Sequence, residues 1–182
     1  MPLDLHETAR RAGGASWLDA RLFEVLGDWV HSTPEPEVKI ALATQSSHHG
    51  WHATLWADRL PTLHDVEPAS WVGPPSAGVQ QAVGLLAGAT TTIERLAGLH
   101  RALLPRLLAA HAGHLEAASP VADAPTIRTL RLVMLDEAED QRTGERLLQG
   151  LLRTRPDVER AAARQAVVEA VLAESGPLLG AC

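Results

Sequence analysis

Blocks of helix-forming residues, each bounded by a cluster of proline or glycine, run the length of this chain, while runs alternating β-branched and polar residues are scarce. That pattern restricts the chain to an all-α fold. The first helix is expected from about Ser16 to His31, with Ser16 and Asp19 spaced as a capping box and Leu18, Leu22, Val25, Leu26 and Trp29 as its apolar face. A second begins at Pro34 to Pro36, with Glu35 and Glu37 favoured by the helix dipole in its first turn, and continues to Leu60. Residues 61–78 hold four prolines and two glycines, the composition of an ordered loop, which Trp71 is expected to pin to the core. The third helix is read from Val79 to His114, kinked or divided at Pro105, and the fourth from Thr126 to Leu152. A shorter last helix runs over about 156–175 and stops at Ser175-Gly176-Pro177.

A length of 182 residues fits one domain over 1–182, its bundle core at about 15–152. Although 46% of the residues are hydrophobic, no apolar run approaches the roughly 20 residues of a membrane-spanning helix. Net charge is −6 and the arginines are interspersed with acids, so a nucleic-acid partner is not expected. The opening residues lack the basic and then apolar order of a secretory signal, which gives a cytoplasmic expectation. Cys182, the sole cysteine, leaves no disulfide or cysteine zinc site within one chain. The bias toward Arg, Ala, Gly and Pro over Lys suggests a GC-rich bacterial source.

At about 100° per residue, most charges fall outside the apolar helix faces. The exceptions concentrate in the stretch ALATQSSHHGWHATLW, residues 41–56. There Gln45, His49 and His52 share a face with Val38, Leu42, Trp56 and Leu60, and His48 lies at its border. On the fourth helix, Glu137 and Gln141 sit among Leu130, Val133 and Leu148, with Asp140 at the margin. His100 and His111 fall among the leucines of the third helix, and Asp19 between Leu22, Phe23 and Leu26 of the first. Buried polar groups need partners. His49 with His52 and Glu137 with Asp140, each pair spaced i and i+3, can converge on one cation; imidazole and carboxylate suit zinc, iron or manganese. A closed hydrogen-bond network among His49, His52, Glu137, Gln45 and Gln141 is the structural alternative. The acidic run 136–140 otherwise reads as a solvated face, His6, His31, His64 and His114 as surface groups, and the five tryptophans as core anchors, with Trp51 and Trp56 placed to wall a pocket.

Four antiparallel helices with a long connection between the second and third resemble the ferritin-like fold, whose inward glutamates and two Glu-x-x-His motifs hold a di-iron or di-manganese centre. The resemblance covers roughly residues 15–152. Its first motif falls on Gln45-Ser46-Ser47-His48 and its second on Glu137-Ala138-Glu139-Asp140, and it implies lone glutamate ligands at Glu24 and Glu94.

Three readings of function remain open. The first is a metal-dependent oxidase or hydroxylase of a small organic substrate, with His49, His52, Glu137 and Asp140 as iron or manganese ligands and Gln45 or His48 behind them. The second is a metal-free enzyme or small-molecule-binding protein of specialised metabolism, with His48 or His49 as general base, Glu137 holding it, and Gln45, Trp51, Trp56, His100, Gln141 and Asp19 around the pocket. The third is a structural or partner-binding bundle whose exposed faces form a homodimer.

Overall fold

The computed structural model describes residues 3–180. Cys182 lies outside them. Every regular element among the described residues is helical, and a lone bridge pairs Leu63 with Val66. None of these helices is long and apolar enough to cross a membrane.

Helix α1 spans Leu5–Ser32, eleven residues earlier at its start than the capping pattern suggested. Its cap is Asp4, whose carboxylate accepts from the Glu7 N–H at 2.7 Å. Gly13 and Gly14 lie inside this helix, and for a steric reason. A Cβ on Gly13 would lie 2.0 Å from the Trp71 carbonyl oxygen, and one on Gly14 3.0 Å from the Pro75 ring. The segment 61–78 therefore crosses α1 at the two residues that let its backbone come close. Ser16 is no cap either; its hydroxyl donates to the Ala53 carbonyl at 3.0 Å.

Three residues after α1 the chain turns into α2, Pro36–Ala57, and folds back along it. Ser46 donates to the Phe23 carbonyl at 2.8 Å, so Ser16 and Ser46 fasten the pair at two levels. A single 3-10 turn, Pro68–Trp71, follows in the connection.

The expected third helix is three pieces. Helix α3, Ala77–Ala87, ends at Gly88; a capping box of Thr91 and Glu94 then starts α4, Thr92–Leu96. The break falls at 88–91, where Gly88 and two threonines stop one helix and cap the next, and not at Pro105. A π-helical turn, Ala97–Leu103, carries α4 into α5, Leu104–Ala117, and Leu104 donates to the Leu99 carbonyl in the wider spacing. Pro105 sits just beyond, in the first turn of α5, where its missing N–H is tolerated.

Helix α6, Ala124–Leu151, packs on α2 and α5. The last helix, α7 (Arg155–Glu174), is capped by Thr154 with Asp157 and is no short appendage: its 20 residues lie against α3 and the π turn, burying Ala161, Val168 and Leu172. Leu18, Leu22, Leu26, Trp29, Leu42, Trp56, Leu86, Leu99, Leu103, Leu130 and Leu148 fill one continuous core.

Candidate metal centre

The polar residues of that core come from α1, α2, the π turn, α5 and α6, and they meet around α2. His48 and His52 stand one helical turn apart on α2, and Asp136 and Asp140 one turn apart on α6. The two helices place these pairs opposite each other as rungs. His48 Nδ1 lies 2.9 Å from Asp140 Oδ2, and His52 Nε2 lies 3.1 Å from Asp136 Oδ2. A third rung reaches α1, where His49 Nδ1 lies 2.7 Å from Asp19 Oδ1. The rings of His49 and His52 stand edge to face, centroids 5.9 Å apart.

Each inner histidine thus has one ring nitrogen held by a carboxylate and the other left over. His49 Nε2, His52 Nδ1 and Asp19 Oδ2 are buried with no hydrogen-bond partner. Asp19, His49 and His52 each offer a donor atom within 4.8 Å of the others, so this buried group could hold a metal ion. For His52 the carboxylate on the far nitrogen is Asp136, outside that group, and a carboxylate so placed commonly orients a metal-bound imidazole by fixing its tautomer and raising its basicity.

Glu137 and His111 form a second buried pair beside the first. His111 Nε2 and Glu137 Oε1 lie at ion-pair distance, 3.4 Å, without hydrogen-bond alignment, and both carboxylate oxygens remain unpartnered. Trp56 stacks on His111 at 5.2 Å and on His114 at 6.4 Å. Gln45 reaches the opposite side, donating to the Asp140 carbonyl at 3.1 Å and meeting His100 Nε2 at 3.0 Å through its amide oxygen. Gly144 makes room for that ring.

Electrostatics divide the histidines. Burial works against a charge on His49, yet its bond to Asp19 and the charges of Asp19, Glu137 and Asp140 hold its pKa above the ordinary value. His111 is also raised, burial being outweighed first by Glu137 and then by Asp19. His100, buried with weaker compensation from the Leu96 carbonyl, is pushed down to about 4, and His114 falls to about 4 through burial and the nearby Arg11 charge. Burial raises Asp140 against the pull of His48. The cation-attracting half of the cluster is therefore the half around Asp19, His49 and Glu137.

Of the residues singled out from the sequence, Gln45, His49, His52, His100, His111 and Glu137 are buried. Asp140 joins His48 and is not one of the group around His49 and His52, whose carboxylate is Asp19. Gln141 is half-buried and reaches only the His100 carbonyl, at 3.4 Å. Trp56 is fully buried, but Trp51 is 49% exposed and touches His52 from outside, so it anchors no core. His114, expected at the surface, is buried. Neither implied lone glutamate reaches the centre: Glu24 is exposed and pairs with Arg21, and Glu94 closes the cap of α4. Asp136 was hidden in a run that read as a solvated face. Its signal was a shared spacing, since Asp136 and Asp140 repeat the four-residue step of His48 and His52.

Compared with known protein families, curated proteins and solved structures, the chain matches none of them.

Proposed function

We propose that this protein is a metal-dependent oxidoreductase of ferritin-like architecture, in which Asp19, His49 and His52 hold one divalent transition ion and a small organic molecule is the substrate. In this reading α1, α2, the α4–α5 rod and α6 are the four antiparallel helices, and the connection at 58–76 is the long crossover between second and third. The contacts support that order: α1 packs on α2, α2 on α6, and α6 on α5.

The observation that carries the proposal is the set of buried donor atoms left without partners, Asp19 Oδ2, His49 Nε2 and His52 Nδ1, with both oxygens of Glu137 beside them. An unsatisfied buried polar atom costs about 1–3 kcal/mol, more when charged, so a purely structural network would be expected to close on itself. This one stays open on its inner side. A divalent cation held by Asp19, His49 and His52 would give this buried group the partner it lacks, and the Asp19 carboxylate would offset part of its charge. Two imidazoles with carboxylate suit iron, manganese or zinc, and bound iron or manganese would supply the redox chemistry. The chain's own contribution is to fix the tautomer of His52 through Asp136 and to keep the centre buried. A groove of about 530 Å³ between α2 and α6, bordered by Ile40, Thr44, Gln45 and His48, has the size for a small substrate.

Calorimetric titration of metal-stripped protein with manganese(II), anaerobic iron(II) and zinc(II) tests the reading. A single equivalent is expected, lost in His49→Ala and in Asp19→Asn while the far-ultraviolet circular dichroism stays helical. A folded wild type that takes up no ion, or variants that bind as the wild type does, would overturn it.

A further inference from the structure

The proposed ion site raises the question of how an ion gets in. Asp19, His49, His52, His111 and Glu137 are all 0–1% exposed, so a hydrated cation has no direct path to them. Full dehydration in one step is prohibitive for a divalent ion, and entry needs ligands that replace its water a few molecules at a time. The rungs between α2 and α6 offer such a step. His48 has 31% of its side chain exposed, and its partner Asp140 has 7%. Both border the α2–α6 groove, whose charged lining is three carboxylates, Glu37, Glu139 and Asp140, against one arginine, Arg146, a balance that favours a cation.

His48 is also joined to the inner group. Its Nδ1 is engaged by Asp140, and its ring lies parallel to that of His52, centroids 6.2 Å apart and planes at 22°. His52 in turn stands edge to face with His49 at 5.9 Å. Three imidazoles therefore form a continuous series from the groove to the centre, with an aspartate beside each. Asp136 also has partial exposure, but its Oδ2 faces His52 Nε2, the ring nitrogen opposite the free Nδ1, and Asp136 does not border the groove.

We propose that His48 and Asp140 are an intake step, an outer cation-binding position through which a divalent ion passes by ligand exchange from the α2–α6 groove to His52 and on to the Asp19–His49–His52 group. The inference rests on the metal reading above. It assigns His48 to the rate at which the ion arrives and leaves the final occupancy to the inner residues.

Cobalt(II) is the probe, because its visible absorption changes when imidazole replaces water. Metal-free wild type, His48→Asn and Asp140→Asn are mixed with cobalt(II) in a stopped-flow instrument, and the end points are titrated separately. Expected are an unchanged final stoichiometry and spectrum and loading slowed roughly tenfold or more in both variants, the effect of raising the entry barrier by one such factor. His48 is half-exposed, so His48→Asn is expected to fold; His48→Gln, which places an amide near the position of the lost Nε2, should recover part of the rate. Wild-type rates in both Asn variants would overturn the intake step while leaving the metal site standing. A lowered end point in the His48 variants would overturn it too, by making His48 a ligand. A folded wild type with no cobalt signal would defeat the metal reading and the intake step together.

Discussion

Gly144→Ala should damage this protein, although the same change in an exposed helix ordinarily helps it. In a helix interior the substitution gains about 1 kcal/mol of propensity. At Gly144 the new methyl would lie 2.0 Å from His100 Cδ2 and 2.1 Å from Nε2, inside a ring that is fully buried. The ring has to leave, giving up its contacts to Gln45 at 3.0 Å and to the Leu96 carbonyl at 3.1 Å. Overpacking costs about 1–3 kcal/mol, and each buried polar group stranded by the move costs about 1–3 kcal/mol. With one such group stranded and less the propensity gain, the net loss is about 1–5 kcal/mol, a fall in Tm of about 2–20 °C for a chain of this size. Gly84→Ala is the control: Gly84 lies within α3, a Cβ there meets nothing within 4 Å, and a gain of up to about 1 kcal/mol is expected. Urea unfolding of the three proteins gives the answer. A Gly144→Ala variant as stable as Gly84→Ala would refute the placement of His100 against α6 and, with it, the inner wall of the site.

Arg95 should prove a structural strut. Its guanidinium is buried, donates to Thr33 at 3.0 Å, Ser32 at 2.8 Å and the Ala89 carbonyl at 3.3 Å, and covers the Trp29 ring, so Arg95→Ala should cost about 3 kcal/mol and Arg95→Lys should recover less than half, a lysine having no fork to span these acceptors; denaturant titration measures both. His100 should stay neutral well below the ordinary histidine range, since burial lowers its pKa to about 4. The sign follows from linkage: the unfolded chain takes up a proton near pH 6.5 and the folded ring does not, so its contribution is intact above that value and is lost as pH falls toward about 4, by up to about 3 kcal/mol. Ring resonances of His100 that stay flat between about pH 7.5 and pH 5 are expected in a histidine NMR titration, and a midpoint near 6.5 would contradict the burial. Gly13→Ala should push the 61–78 segment off α1, because its methyl would lie 2.0 Å from a backbone oxygen that cannot rotate away; faster proteolysis within 61–78 is the readout.

The helical phase of the sequence was the part most open to reading. Spacing alone put Gln45, His49, His52 and Glu137 on inward faces, and all four are buried, because phase survives errors at helix ends. Punctuation misled where a residue served a distant contact. Ser16 resembled a cap but donates to the Ala53 carbonyl, and Pro105 resembled the kink while the chain breaks at 88–91. The partners were harder still. Asp136 looked like one solvated acid among several, and Asp19 like a capping residue; each became a histidine partner only through helix pairings 84 and 30 residues apart along the chain, a relation no local pattern records. His114 was taken for a surface group because nothing in its own helix shows the stacking surface of Trp56.

The most direct test of the account is a crystal of this protein grown with manganese(II) and measured for anomalous scattering at the manganese edge. One strong buried peak is expected, within about 2.0–2.3 Å of one ring nitrogen of His49, one ring nitrogen of His52 and a carboxylate oxygen of Asp19. A folded protein whose interior shows no such peak, or whose manganese sits only on exposed acids, would contradict it.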